Sequence, residues 1–245
     1  MKLSFILFCL ILFVIIFGIY YSPIFKIKSI GFSGEEPNCT TKEEVGKISG
    51  ILGENILFLD KLKTEKKIKD KFLCIRSVNF HKSIPDSLKL DLKNRRASLT
   101  LIPAVPNDST ESARPVQTGQ GLLIDDEGIV FTLDEAKSSQ PAVFILGEEL
   151  SVGKKLDQEL IKKTVQVLEK IKSLGVNSDD PKIYSKAYLS LGQRPQMIIL
   201  LNDKIDRQLA SLQLILDQAK MDTKEVEFLD LRFDKPIVRY APKKN

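Results

Sequence analysis

Ser87-Leu88-Lys89-Leu90-Asp91-Leu92-Lys93 alternates apolar and charged residues without a break. Successive side chains of a strand point to opposite faces, so three leucines share one face while Lys89, Asp91 and Lys93 share the other. This is the pattern of a half-buried strand. Ile84-Pro85-Asp86 just before it reads as a turn, and Ile75 to His81 as the strand that enters that turn. Upstream the period changes. A helix is expected from about Asp60 to Leu73, with Leu62, Ile68 and Phe72 on its inner side. Thr41 to Glu44 has the form of a capping box before Val45, Ile48 and Ile51/Leu52 at helical spacing, with Gly53 as the stop. Phe25, Ile27, Ile30 and Phe32 suggest a further short strand. Residues 22–95 therefore read as strand, helix, helix, strand, strand: a small α+β unit with its helices on one sheet face.

Downstream the composition shifts. Residues 96–121 read as a loop or linker, because Pro103 to Gly121 holds three prolines, several Ser/Thr and almost no large apolar residue. Residues 122–240 read as a β-rich domain with two helices, followed by a tail at 241–245. Leu122-Leu123-Ile124 and Ile129-Val130-Phe131 flank Asp125-Asp126-Glu127-Gly128, the signature of a hairpin. Ala142 to Leu146 is a strand. Asp157 to Leu174 is a helix with Leu160, Ile161, Val165, Leu168 and Ile171 inward. Ile183 to Leu191 and Gln196 to Leu201 read as paired strands. Ile205 to Lys220 is a second amphipathic helix, and Val226 to Phe233 and Ile237 to Tyr240 close the chain as strands. No internal repeat is visible.

The amino terminus is a different material. Leu3 to Tyr21 carries no charge, and 14 of its residues are Leu, Ile, Val or Phe. As a helix it covers roughly 28 Å, close to the hydrocarbon thickness of a bilayer. Residues 1–21 are therefore expected to be a retained transmembrane helix with a minimal cytoplasmic tail. A cleaved signal peptide fits less well, since the run is long and no A-x-A site follows before Pro23. Lys2 on one side and Lys26 and Lys28 on the other leave the orientation almost tied by charge.

Of 245 residues, 37 are Lys or Arg and 32 are Asp or Glu, a formal net charge of +5. The signs are interspersed, and no basic stripe interleaved with aromatics argues for nucleic acid. With a single His, His81, a Ser-His-Asp, Cys-His or His-based metal site would have to rest on one side chain beside Lys82. Asp125-Asp126-Glu127 and Asp179-Asp180 sit at turn signals. Lys61, Lys63, Lys66, Lys67, Lys69 and Lys71 read as a solvated helix face, with contact to acidic lipid or an acidic partner as the alternative. No catalytic residue, metal ligand, cofactor or small-molecule substrate is expected.

The order of motifs resembles a known family. Phe25-Lys26-Ile27-Lys28-Ser29-Ile30-Gly31-Phe32 follows the apolar run. Gly53-Glu54-Asn55-Ile56-Leu57-Phe58-Leu59-Asp60 lies between the two helices, and Val78 and Phe80 precede Ile84-Pro85-Asp86-Ser87-Leu88-Lys89-Leu90. Together these resemble a POTRA domain of the FtsQ/DivIB cell-division family. Ile124-Asp125-Asp126-Glu127-Gly128-Ile129-Val130 is similar to the hairpin opening that family's β domain, and Asp230-Leu231-Arg232 to its D-L-R ending. Phe72-Leu73-Cys74-Ile75 and Asn94-Arg95-Arg96-Ala97 depart from the family's P-W-I and E-R-x-P-x-A segments.

The resemblance implies a non-catalytic, single-pass type II protein of the cytoplasmic (inner) membrane at the division septum, its bulk extracytoplasmic. Implied partners are FtsB/DivIC-like and FtsL-like division proteins and, through them, the septal peptidoglycan synthase. Phe233, Ile237, Val238, Arg239 and Tyr240 lie where the family's partner-binding strand ends, and they either bind a partner strand or close the core of the β domain. In an oxidising exterior Cys39 and Cys74 would either form a bridge worth roughly 4 kcal/mol or remain two thiols. The alternative function is a membrane-anchored POTRA module for polypeptide transport or chaperoning.

Overall fold

The computed structural model describes residues 2–104, 120–134, 140–176, 179–184, 187–192 and 195–242, with the side chains of 2–4, 9, 15 and 16 left out. The chain divides into two compact units, Met1–Arg95 and Arg96–Asn245.

The first unit begins with helix α1 (Lys2–Tyr21). Among the described residues no helix is long and apolar enough to cross a membrane. Phe5, Phe13 and Phe17 stand exposed on α1. After a 3-10 turn at Pro23–Phe25 come β1 (Ser29–Gly34), α2 (Lys42–Ser49), α3 (Lys61–Lys71), β2 (Ile75–Ser83) and β3 (Ser87–Asn94). The sheet order is β1-β3-β2, so the alternating strand is central, parallel to β1 and antiparallel to β2. Leu88, Leu90 and Leu92 are fully buried on it, with Val45, Ile51, Ile68, Ile75 and Val78 buried around them. A Cβ on Gly46 would lie 3.3 Å from the Phe32 ring, so glycine there lets α2 approach β1 closely.

The local signals explain the helix ends, with two exceptions. Thr41 caps α2 by accepting from the Glu44 N–H at 3.3 Å, and Asp60 caps α3 by accepting from the Lys63 N–H at 3.0 Å. The stop after α2 is Gly50 in the left-handed region (φ 68°), not Gly53. Leu62 does not face the core; it is 80% exposed. Thr64 takes the inner position beside Ile68, because its hydroxyl donates to the Asp60 carbonyl at 2.8 Å and enters the interior satisfied. Cys39 and Cys74 are joined by a disulfide with Cα atoms 6.0 Å apart.

The second unit is one mixed sheet under two helices. Its strands are β4 (Leu99–Ala104), β5 (Leu122–Ile124), β6 (Val130–Leu133), β7 (Ala142–Leu146), β8 (Lys182–Tyr184), β9 (Tyr188–Leu191), β10 (Gln196–Leu200), β11 (Val226–Asp230) and β12 (Ile237–Tyr240). Helix α4 (Gln158–Ser173) connects β7 to β8, and α5 (Ile205–Met221) connects β10 to β11; both strand pairs are parallel neighbours. The order is β12-β11-β10-β9-β8-β7-β4-β5-β6. Right-handed crossovers between equally directed strands place both helices on the same face. Bonds from Lys163 to Asp203 (2.8 Å), Gln166 to Asp206 (2.6 Å) and Lys170 to Gln213 (2.8 Å) tie α4 to α5 and the loop entering it. Beneath them Val143, Ile145, Ile183, Leu189, Met197, Ile199 and Leu229 form one core with Ile161, Ile171 and Leu212.

Two sequence expectations change here. The linker expected at 96–121 does not begin at 96: Leu99–Ala104 is β4, between β5 and β7, with Leu99 and Leu101 fully buried. Pro103 argues against a central strand in the sequence. The structure accommodates it because pairing with β5 ends at Leu101, so that among the described residues Pro103 is paired with β7 alone. Residues 105–119 lie outside the described set. The single strand expected over Ile183 to Leu191 is a tight hairpin, with Tyr184 paired to Tyr188 and the Ala187 N–H bonded to the Tyr184 carbonyl at 3.0 Å.

Candidate partner-binding edge

β12 is the last strand of the sheet and pairs only with β11 among the described residues. Ala241 donates its N–H to the Glu225 carbonyl at 2.8 Å. The bulge in this pairing lies on β11, between Val226 and Phe228, so β12 itself alternates regularly. Ile237 and Arg239 therefore turn their backbone groups toward β11, and Val238 and Tyr240 turn theirs to the open edge. The next two outward positions are Pro236 and Pro242, which have no N–H. The edge thus offers two donors, framed on both sides by proline. Short length and flanking prolines are the usual protection of an exposed edge, and here they also limit what can pair with it.

Of the five residues singled out from the sequence, Ile237, Val238, Arg239 and Tyr240 lie on β12, and Phe233 lies in the bend between β11 and β12. Phe233, Ile237 and Tyr240 are 54%, 51% and 38% exposed. Val238 is half-buried and packs on the core, so it closes the β domain rather than meeting solvent. Arg239 is exposed, bonded to Glu227 at 3.0 Å and placed over the Phe228 ring at 5.3 Å.

What positions Phe233 is the D-L-R segment. Leu231 is buried and anchors the turn. The buried Asp230 carboxylate accepts from Arg232 Nε at 3.0 Å and Nη2 at 2.7 Å, and from the Arg232 backbone N–H at 3.0 Å. Burial works to raise the Asp230 pKa, but the hydrogen bonds and charge of Arg232 outweigh it and hold the carboxyl below the usual range. The fixed guanidinium lies over Tyr188 at 5.2 Å and Phe233 at 5.7 Å, and Tyr188 stacks on Tyr184 at 5.1 Å. A small depression opens beside it, lined by Arg207, Gln208, Leu231, Arg232, Phe233 and Pro236 among others. Gln208 is committed to the fold, bonding both the N–H and the carbonyl of Leu200 at 2.9 Å. The edge is therefore apolar at Ile237 and Tyr240, cationic-aromatic at Arg232 and Phe233, and open along the backbone. An open strand edge beside exposed apolar and aromatic side chains is the kind of surface that β-strand addition uses. Sequence reasoning missed Arg232 and Tyr188 as part of this surface, because only the β9-β10-β11 order brings them together.

The other candidates separate. His81 is exposed on β2, opposite Lys89. Asp125 is a turn residue whose Oδ1 accepts from the N–H groups of Glu127 (3.0 Å) and Ile129 (2.9 Å). Among the described residues no group of three or more His, Cys, Asp or Glu is arranged to hold a metal.

Residues 25–95 match the family model described as POTRA domain, FtsQ-type. No curated protein matches the chain. The FtsQ-type family is generally a non-catalytic scaffold, associated with the membrane at the septum. Residues 25–95 are therefore a POTRA domain of the FtsQ type, and that match supports assigning the chain to the FtsQ/DivIB family of cell-division proteins.

Proposed function

We propose that the chain is a single-pass scaffold of septal wall synthesis, anchored in the cytoplasmic membrane by α1, with both units outside. Its edge strand β12 receives a strand from an FtsB/DivIC-like protein, with an FtsL-like protein in the same complex, and through them it acts on the septal peptidoglycan synthase. The observation that carries this reading is the open β12 edge in a chain whose first unit is an FtsQ-type POTRA domain. Main-chain bonds to Val238 and Tyr240 supply affinity, while Phe233, Ile237 and Tyr240 supply side-chain selection. The anchor reading is supported by the absence of charge from Leu3 to Tyr21. The extracytoplasmic placement is supported by the Cys39–Cys74 bridge, a bond that persists in oxidising compartments.

Co-purification of the full-length protein with its division partners tests this. Replacing Ile237 and Tyr240 together with lysine removes two exposed apolar contacts and leaves the core untouched. The expected result is loss of the FtsB/DivIC-like protein from the complex with unchanged folding, and filamentous cells when the variant is the sole copy. Undiminished recovery of that partner refutes the edge assignment. Normal division with a secretion defect would favour the transport alternative.

A further inference from the structure

One end of the first unit gathers segments that are distant in sequence. Asn55 Nδ2 donates to the carbonyls of Ile19 (2.9 Å) and Tyr20 (3.0 Å), the unsatisfied groups at the carboxyl end of α1. The Ile56 N–H bonds to the Phe25 carbonyl at 2.8 Å, and the Ile27 N–H to the Glu54 carbonyl at 2.9 Å. The Lys28 N–H bonds to the Asp86 carbonyl at 2.8 Å, which brings in the β2–β3 turn. Lys82 Nζ reaches the Leu57 carbonyl at 3.3 Å. The end of α1 is thus stapled to the 53–58 loop, and that loop to the turn around Ile84.

This end is unusually apolar for a surface. Ile24, Leu52, Leu57, Phe58, Leu62 and Ile84 are all exposed, Leu62 at 80% and Ile84 at 64%. Phe58 lies 5.3 Å from Tyr20, which itself contacts Tyr21. Lys26, Lys61 and Lys63 belong to the same segments, and Lys82 stands close enough to Lys61 to feel its charge. Tyrosines at a helix end, apolar side chains beside them and lysines among those are the composition of a membrane interface.

We infer that this collar rests on the outer surface of the bilayer that holds α1, with Leu57, Phe58 and Ile84 in the headgroup–acyl boundary and the lysines on anionic headgroups. The inference rests on the anchor reading of α1. Continuity of the chain selects lipid as the occupant: a loop hydrogen-bonded to the last carbonyls of a membrane helix is held at the plane where that helix leaves the hydrocarbon. The lysines complement the negative headgroups. The collar then fixes the tilt of the POTRA domain on its anchor instead of leaving it on a swivel.

The chain contains no tryptophan, so one introduced indole is a clean reporter. Full-length Phe8→Trp, Phe58→Trp and Ile84→Trp variants are reconstituted separately into phosphatidylglycerol vesicles whose acyl chains carry bromine, a contact quencher. The expected result is blue-shifted, quenched emission from all three. Quenching of the Phe8→Trp variant, with either of the others emitting like a water-exposed indole, overturns the collar and leaves the anchor standing. An unquenched Phe8→Trp variant overturns the anchor and the collar with it. Phe58 and Ile84 are half or more exposed, so neither substitution disturbs the core.

Discussion

Proline at position 238 separates the two roles of β12. The Val238 N–H points to the open edge, so removing it breaks no bond to β11, and an edge strand tolerates proline on its solvent side. The cost to the fold is the shortened half-buried side chain, about 1 kcal/mol, which lowers the melting temperature of a unit this size by about 2–4 °C. The cost to a partner is larger. One of only two edge donors is lost and a partner carbonyl is left unpaired in the interface, together about 1–3 kcal/mol. That weakens binding by about 5- to 150-fold.

Arg239→Pro is the matched control. Its N–H points at β11, so the same loss falls on the ladder, and the expected result is a destabilised second unit. Thermal unfolding followed by circular dichroism reads the first cost. Titration of the reconstituted protein with the proposed FtsB/DivIC-like partner reads the second. If Val238→Pro binds with unchanged affinity while folded, the edge does not pair with a partner strand. If Val238→Pro unfolds the unit as severely as Arg239→Pro, the assignment of outward and inward groups is wrong.

Arg232→Ala leaves the buried Asp230 carboxylate without its fork and frees Phe233; the second unit is expected to lose about 1–3 kcal/mol in urea unfolding and partner binding to weaken. Because the folded Asp230 pKa lies below its unfolded value, its stabilisation is present above about pH 3.9 and is lost as pH falls through the folded pKa. The stability advantage of the parent protein over Asp230→Asn should therefore shrink in acid and be constant near neutrality. Reducing the Cys39–Cys74 bridge, or replacing both cysteines with serine, should cost the first unit roughly 4 kcal/mol on chain-entropy grounds, read as a lower urea midpoint. Gly128→Ala places a Cβ 2.5 Å from the Leu156 carbonyl oxygen at φ +81°, and about 1–3 kcal/mol of destabilisation is expected from backbone strain alone.

Much of the fold was legible because the deciding signals were local. Leu88, Leu90 and Leu92 could be read inward from alternation alone, and Thr41, Asp60 and Asp157 marked the starts of three helices by their side-chain oxygens. What failed depended on distant partners. β4 was hidden because whether Pro103 is tolerated depends on where β5 stops. Leu62 looked inward by period, but a threonine satisfied within its own helix holds the inner position. The edge itself was legible as a terminal strand. The Asp230–Arg232 fork under Phe233 was visible only as a motif, and the stacking of Arg232 on Tyr188 required strand order that no window of sequence contains.

The sequence shows no repeat, yet the topology of the second unit contains one. β7-α4-β8-β9 and β10-α5-β11-β12 are the same arrangement twice: a strand, a crossover helix, a parallel neighbour and an antiparallel return. Their leading strands have five residues each and their helices 16 and 17, but the side chains differ, so the repeat lies in hydrogen-bond order alone. That order has a consequence for the proposed partner. Beside β9, the return strand of the first arrangement, sits β10, antiparallel to it. The equivalent position beside β12 is empty among the described residues, and a strand that continues the pattern there runs antiparallel to β12. The prolines at 236 and 242 keep their carbonyls but donate nothing, so a strand in register with β12 receives N–H groups only from Val238 and Tyr240. An antiparallel strand in that register sets its side chains against Ile237 and Tyr240 on opposite faces. Cysteine pairs engineered across the two strands test this: crosslinking in antiparallel register is expected, and crosslinking in parallel register refutes the continuation.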